Sequence, residues 1–524
     1  MQAGAVLIGF QEQGNLGIGY VAAMLRQNGF AVRILDFRDN AESIAETVQE
    51  ENPALVGFSL IFQYYVPEFH RLASCLRSHG VSCHFTAGGH YPSLRSEETL
   101  RDIPELDSIV RFEGEITALE LMQCLADGRD WRQVHGIAYR ESGRCILTPP
   151  RPLIADLDSL PFPARPLESD LIILGRKASP ILASRGCCRD CSFCSIREFY
   201  SQVPGRKVRV RNPAFVVEEM KQLHQLNRTD IFLFQDDDFP VWGDFGRRWV
   251  EHFIASLQAA DLYGRVLWKI SCRADEIDSS LFARLRDAGL YMVYLGIESG
   301  NETGLEMLNK RLHVRDVVRA VATIQSLGLA FTYGFMLFDP SSTFHSVRDN
   351  IHFLRNLTRD GRIPVVFCRM LPYAGTPIET RLKQEGRLRG NVHDPSYDFT
   401  NPAVSLLFDR ISAPTGELIQ GSNSLANQLN FAWQEFWVMK RMSPVEELDK
   451  YGKFLRSVTT AYNRHILQWV ECATTAHEMG DESRFPSWDP REHAGELSRH
   501  LLLGRDDFML RHQDLLLKPL GLYS

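Results

Sequence analysis

From Ala5 to Leu371 the chain repeats one pattern, a short apolar run followed by a longer amphipathic stretch. Consecutive strands that return through helices pair in parallel, so this alternation commits the chain to an α/β architecture before any motif is considered. Apolar runs at Ala5–Phe10, Ala31–Phe37, Ala54–Leu60, Ser82–Ala87 and Ser108–Phe112 read as buried strands. Helices are expected between and after them at Gly19–Asn28, Ala41–Glu51, Glu68–His79, Ser96–Arg101 and Ile116–Ala126. This first segment, residues 1–148, reads as a doubly wound parallel sheet with a closing hairpin at Gly136–Arg140 and Arg144–Leu147. Ligands of such sheets bind beyond the strand C-termini, which places loops 11–17, 61–65, 88–92 and 113–115 on the ligand edge.

Next, PPRPLIADLDSLPFPARP carries six prolines in eighteen residues, which suits neither a helix nor a central strand. Residues 149–177 therefore read as a linker. A second alternating series follows, with strands expected at Ile181–Ser184, Asp230–Gln235, Leu267–Cys272, Met292–Ile297, Ala330–Phe338 and Val365–Leu371. Its helices are expected at Pro213–Leu226, Phe245–Ala259, Ser279–Asp287, Val314–Leu327 and Phe344–Leu357. Six units over residues 178–390 suggest a partial (β/α)6 barrel, two units short of a closed one. Beyond it strand signals fade. Residues 391–524, with helical patterns at Gly416–Arg441, Pro444–Thr475 and His493–Leu517, read as a helical C-terminal cap.

Composition narrows the function. The chain has 524 residues, 44% hydrophobic and 23% charged, with a net charge of −7. That supports large cores and argues against a general electrostatic grip on nucleic acid or anionic lipid. MQAGAVLIGFQEQ lacks a basic n-region, and no apolar stretch reaches membrane-spanning length, so the reading is cytoplasmic. Eleven cysteines in that compartment should be reduced, which disfavours a disulfide framework.

Four of those cysteines fall within eight positions of RGCCRDCSFCS, residues 185–195. Cys187, Cys191 and Cys194 have the spacing C-x3-C-x2-C, directly after the first strand of the second series. Three thiolates can hold three corners of a 4Fe–4S cube and leave the fourth iron open. A closed zinc site would want a fourth ligand, and no partner pair follows nearby. Cys188, adjacent to Cys187, reads as a bystander.

This loop, in this place, resembles the signature of the radical S-adenosylmethionine (SAM) superfamily, whose open iron chelates SAM. The resemblance implies further site residues. Phe193 matches the aromatic position near the adenine. Asp236, Asp237 and Asp238, in QDDDF, fall where the superfamily binds the SAM amino group. Ser271 and Arg273, in SCRAD, end the third strand, and the Arg273 fork suits the SAM carboxylate. Glu298 and Ser299, in GIESG, match a ribose- and methionine-contacting position, and PYAGTP (372–377) resembles a turn after the sixth strand. For any one of these the plain alternative is a helix cap, a solvated turn or a structural ion pair.

The upstream sheet resembles the cobalamin-binding subclass, with a Rossmann-like domain. The likeness rests on NLGIGY (15–20), GFS (57–59), GGHYP (88–92) and RFEGE (111–115). It departs from the usual pattern in two places: Tyr91 stands where His is usual, with His90 one place early, and Phe112 replaces a glycine. The cobalamin contacts implied are Asn15, Leu16, Gly17, Ser59, Leu60, Gly88, Gly89, His90, Glu113 and Gly114, with LIFQYY (60–65) beneath the corrin. No D-x-H-x-x-G occurs, so no axial ligand is named; a sheet that keeps the fold without the cofactor is the plain alternative.

The resemblance implies a cobalamin-dependent radical SAM methyltransferase, in which a deoxyadenosyl radical activates an unactivated carbon and methylcobalamin supplies the methyl group. A small-molecule substrate and an external one-electron reductant of flavodoxin or ferredoxin type would be its partners. Oxidative cyclisation or ring rearrangement with the same cofactors is the alternative, and an electron carrier or cobalamin sensor a more distant one. A methylthiotransferase would need further cluster cysteines, whereas Cys75, Cys83, Cys124 and Cys145 are scattered and read as core residues. Cys272 and Cys368 read as packed core thiols, and FAWQEFW (431–437) as cap packing or a substrate wall.

Overall fold

The computed structural model describes residues 4–11, 14–165, 171–421, 423–443 and 445–513. Part of the expected loop at 11–17, the linker at 166–170, the helix start at Pro444 and the helix end at 514–517 lie outside the described residues. The first strands are β1 (Gly4–Gly9), β2 (Ala31–Asp36), β3 (Leu55–Ser59), β4 (His84–Gly88), β5 (Ser108–Val110), β6 (Ile137–Glu141) and β7 (Arg144–Leu147). Then come β8 (Ile172–Ile173), β9 (Arg176–Ile181), β10 (Ser184–Arg185), β11 (Arg209–Val210), β12 (Thr229–Phe234), β13 (Leu267–Arg273), β14 (Leu290–Glu298), β15 (Ala330–Phe338) and β16 (Cys368–Arg369).

The chain divides into two compact units that do not follow chain order. One comprises residues 1–171, 179–219 and 371–396; the other 172–178, 220–370 and 397–524. The first holds a seven-stranded sheet in the order β2-β1-β3-β4-β5-β6-β7. β1 to β5 are parallel, and the β6–β7 hairpin closes the edge antiparallel, as the sequence pattern suggests. Val6, Ile8, Val56, Phe58 and Phe85 lie at or near zero exposure beneath helix Val66–Ser78. Transfer of side chains of this size from water is worth about 1.5–3 kcal/mol each. Helix Leu16–Gln27 starts where it does because Asn15 Oδ1 accepts the Ile18 N–H at 3.1 Å.

The second sheet runs β16-β15-β14-β13-β12-β9-β8, with β12 to β16 parallel, an open half-barrel. Its first long strand is Arg176–Ile181, not Ile181–Ser184. RKASPI reads as polar, but Arg176 is buried against Asp230 at 3.1 Å, a pairing that no local pattern reveals. The sixth strand shrinks from the expected Val365–Leu371 to two residues. Side chains take the backbone groups a ladder would have used: Asn463 Oδ1 accepts from Val365 N, and the Tyr333 hydroxyl accepts from Val366 N. Four long helices follow, Pro402–Ile419, Leu425–Met442, Leu448–Met479 and Pro490–Arg511. The single helix expected over 416–441 is two, interrupted by positive-φ Gly421 and restarted by Ser424 as N-cap. Among the described residues no helix is long and apolar enough to cross a membrane.

Candidate active site

In the first unit the cysteine loop hangs from the two-residue ladder β10–β11, in which Ser184 faces Val210 and Arg185 faces Arg209. Gly186, at φ +87°, turns the chain into the loop, and a Cβ there would collide with the Lys207 carbonyl oxygen, so only glycine fits. Cys191 is buried, Cys187 and Cys194 are half-buried and Cys188 is exposed, which separates the three spaced thiols from their neighbour. Cys194 N donates to Cys191 O at 3.3 Å, and helix Ser195–Ser201 begins immediately after it. The Ser192 carbonyl accepts from Ile378 N at 3.1 Å, so the PYAGTP turn braces the loop. No disulfide occurs among the described cysteines. Among the described residues no three His, Cys, Asp or Glu side chains converge on one metal-ion position. A donor set of three thiols on one short loop, with its fourth corner unsupplied by the loop, suits a cluster better than a closed single-ion site.

The same unit gathers the four cobalamin-like segments. Asn15 Nδ2 donates to Ser59 Oγ at 3.2 Å, joining the first two. Leu60 N donates to Gly88 O at 2.8 Å, joining the second and third. Gly89, at φ +109°, lies so close to this strand end that an added Cβ would come within 2.5 Å of Leu60 O. Leu16 and Leu60 are buried, and Gly17 is exposed. Next to them Ile61, Phe62 and Tyr64 stand 36–40% exposed, with the Phe62 and Tyr64 rings stacked at 5.4 Å. An exposed apolar platform at the carboxyl edge of a parallel sheet suits the flat face of a corrin. Gln63 is buried instead, its amide bridging to Ala374 N at 2.7 Å and Val392 O at 2.6 Å.

His90 and Glu113 are placed differently from a direct ligand role. The His90 ring packs 4.4 Å from Phe199, and burial lowers its pKa to about 4, so the imidazole is neutral. Glu113 receives Arg185 at 3.0 Å, Arg209 at 2.7 Å and Ile154 N at 2.7 Å. Burial would raise its carboxyl, but the Arg185 and Arg209 charges outweigh that and hold it below the usual range. Glu115 takes the other arm of Arg185 at 2.6 Å. RFEGE thus grips the residue two places ahead of Cys187. Gly114 leads into helix Glu115–Ala126, and Phe112 is held at φ +63° with its ring 5.4 Å from Phe199. Glu115, Arg209 and Phe199 carry no recognisable local signal, because their roles depend on which distant segments meet.

In the second unit, QDDDF continues β12. Asp236 and Asp238 are buried and Asp237 exposed, and Phe239 N donates to Ser271 O at 2.9 Å, docking this turn on β13. Arg273 is buried, with two nitrogens on Asp275 at 2.9 and 3.2 Å and a third, Nη1, buried without a partner. That nitrogen is the arm left for a carboxylate. Glu298 ends β14 at φ +69° and receives Lys310 Nζ at 3.0 Å. Gly296 leaves room for this pair, since a Cβ there would come within 2.9 Å of both partners. Ser299 is tied to Asn350 Oδ1 at 3.3 Å, which also accepts from Gly300 N at 2.8 Å. Lys310 and Asn350 went unrecognised in the sequence, where each looks like an ordinary polar position. Cys272 is a buried core thiol as expected. Cys368 is not: the residue is exposed, while its thiol is crowded enough that burial pushes its pKa up to about 12. Of FAWQEFW, Trp433, Phe436 and Trp437 are cap packing and Phe431 is exposed.

Comparison with known proteins agrees with this arrangement. A B12-binding-domain family model matches residues 10–122, and a radical SAM superfamily model matches residues 181–354. An uncharacterized methyltransferase of Pyrococcus horikoshii is 28% identical over 69% of this chain and 77% of its own. The anaerobic magnesium-protoporphyrin IX monomethyl ester cyclase of Rubrivivax gelatinosus is 28% identical over 66% of this chain and 62% of its own. The fold superposes on the cobalamin-dependent SAM radical enzyme OxsB, solved with aqua-cobalamin bound, at a TM-score of 0.67 and 16% identity, covering 97% of this chain and 84% of that one. The chain is a radical SAM enzyme. More narrowly, it belongs to the radical SAM enzymes that carry a cobalamin-binding domain, and its cofactors are a 4Fe–4S cluster, SAM and cobalamin.

Proposed function

We propose that the chain is a methyltransferase acting on an unactivated carbon of a small-molecule substrate, in the cytoplasm, fed by a one-electron reductant of flavodoxin or ferredoxin type. The carrying observation is that one compact unit contains both the cysteine loop and the cobalamin-like segments, joined through Arg185, Glu113 and Glu115. When bound, the cluster and SAM supply a carbon-centred radical able to remove hydrogen, and cobalamin supplies the methyl group. In this reading Cys187, Cys191 and Cys194 hold the cluster. Asp236 and Asp238 receive the SAM ammonium, and Arg273 Nη1 its carboxylate. Glu298, fixed by Lys310, meets the ribose. Asn15, Ser59, Leu60, Gly88 and Gly89 shape the corrin seat over the Ile61–Tyr64 platform. His90, neutral and packed on Phe199, supports the seat, and Glu113 and Gly114 support the cluster loop.

The test is iron, sulfide and corrinoid content of protein purified anaerobically from cobalamin-fed cells, followed by SAM turnover under reduction. Methyl transfer yields S-adenosylhomocysteine and 5′-deoxyadenosine in equal amounts. Deoxyadenosine alone, with corrinoid present, would replace methylation by cyclisation or rearrangement, the reaction type named for the Rubrivivax relative.

A further inference from the structure

The half-barrel holds a cation that none of the assigned cofactor roles uses. Along β13, Trp268, Ile270 and Cys272 are buried, and Trp268 packs on Phe253 of the outer helix Gly243–Ala259. Strand alternation therefore turns Lys269 and Ser271 to the opposite face, the inside of the barrel. Parallel register sets Lys269 beside Leu233 on one side and Met292 on the other, and sets Ser271 beside Tyr294 and Tyr294 beside Thr332.

That inner face is uncovered at Tyr294. Tyr294 is 37% exposed although its neighbours Val293 and Leu295 have no exposure at all. A tyrosine in mid-strand reaches solvent only where its face of the sheet is uncovered. Gly334, two residues beyond Thr332 on β15, leaves room for the tyrosine side chain, because a Cβ there would strike the Tyr294 hydroxyl. The Thr332 hydroxyl, in the same layer, is buried without a hydrogen-bond partner.

Every other buried or half-buried cation discussed in this unit has a carboxylate: Lys310 has Glu298, Arg273 has Asp275 and Arg176 has Asp230. Among the described residues Lys269 has none, and burial alone acts on its amine, lowering its pKa. An unpaired ammonium in a largely desolvated position is unfavourable unless a counter-charge arrives. We propose that Lys269 is a substrate-binding residue, receiving an oxyanion (carboxylate or phosphate) carried by the substrate and seating that end in the barrel. This rests on reading the half-barrel as the reaction chamber.

The test uses the full-length holoenzyme and three probes: orthophosphate, acetate and SAM. Competitive acetylation by acetic anhydride, read by mass spectrometry, reports on Lys269, with exposed Lys450 as internal control. Either small anion should slow Lys269 acetylation by roughly tenfold while sparing Lys450, as expected for one charge-assisted contact. Calorimetric binding of the protecting anion should vanish in Lys269→Met and persist in Lys269→Arg. Protection by neither anion overturns the proposal. Protection by SAM alone also overturns it, since Lys269 would then serve the SAM carboxylate. None of these readouts needs turnover, so absence of SAM cleavage would count against the proposed function and leave the anion result to stand by itself.

Discussion

The two compact units differ in one buried cation. In the first, Arg185 and Arg209 share Glu113, Arg185 also reaches Glu115, and Arg165 and Arg211 share Glu219 at 2.6 and 2.7 Å. Every arginine of this set is met by a carboxylate of a different chain segment. In the second unit, the barrel interior leaves Lys269 with no anion. Paired buried charge fixes how distant segments sit, because either partner left alone is penalised heavily. Unpaired buried charge adds nothing to a fold and is the mark of a place kept for something else.

The largest test of this contrast is Glu113→Ala. It strands the buried Arg209 guanidinium, takes one of two carboxylates from Arg185, and should cost about 3–5 kcal/mol in denaturant unfolding. It should also reduce iron retention, since Arg185 would then be held by Glu115 alone. A loss below 1 kcal/mol with full iron content would break the comparison. Gly186→Ala comes next. The collision with Lys207 O and the positive φ should displace the loop, costing about 1–3 kcal/mol and lowering cluster content on reconstitution. Unchanged ultraviolet–visible cluster absorption would refute it.

Acid should expose the first unit's design more gently. Neutral His90 has its folded pKa lowered to about 4 from its ordinary 6.5, so the unfolded chain takes up the proton first. Its contribution is intact above pH 6.5 and is lost as pH falls toward 4, by about 1–3 kcal/mol. Glu113, with a depressed folded pKa, adds stability above its unfolded value of 4.5 that is lost only as pH falls through that lower value. Unfolding free energies at pH 7 and 5 should therefore differ less in His90→Phe than in wild type; equal slopes would remove His90 from the account. The smallest effect belongs to Lys269→Met, which removes an unpaired charge from the barrel. Its stability should change by less than about 1 kcal/mol or rise, and a loss as large as that of Glu113→Ala would erase the distinction between the units.

Much of this was legible in the residues. The apolar runs located the five parallel strands of the first sheet, and the cysteine spacing located the loop, because periodicity and spacing are local properties. Where the reading failed, long-range pairing was the reason. RKASPI looks too polar for a strand until Asp230 neutralises Arg176. Val365–Leu371 looks like a full strand until Asn463 and Tyr333 capture its N–H groups. Glu113 looks like a ligand for a cofactor until Arg185 and Arg209 close on it.

Taken alone, the sequence determined the α/β class, the order of strands and helices and the three thiols, since each follows from spacing along one stretch of chain. Only the tertiary structure decided that the cysteine loop joins the first sheet in one unit, that Glu298 is locked by Lys310, and that Lys269 is desolvated with no carboxylate partner among the described residues. Those facts depend on which segments, tens to hundreds of residues apart, exclude water from one another, and desolvation is set in three dimensions.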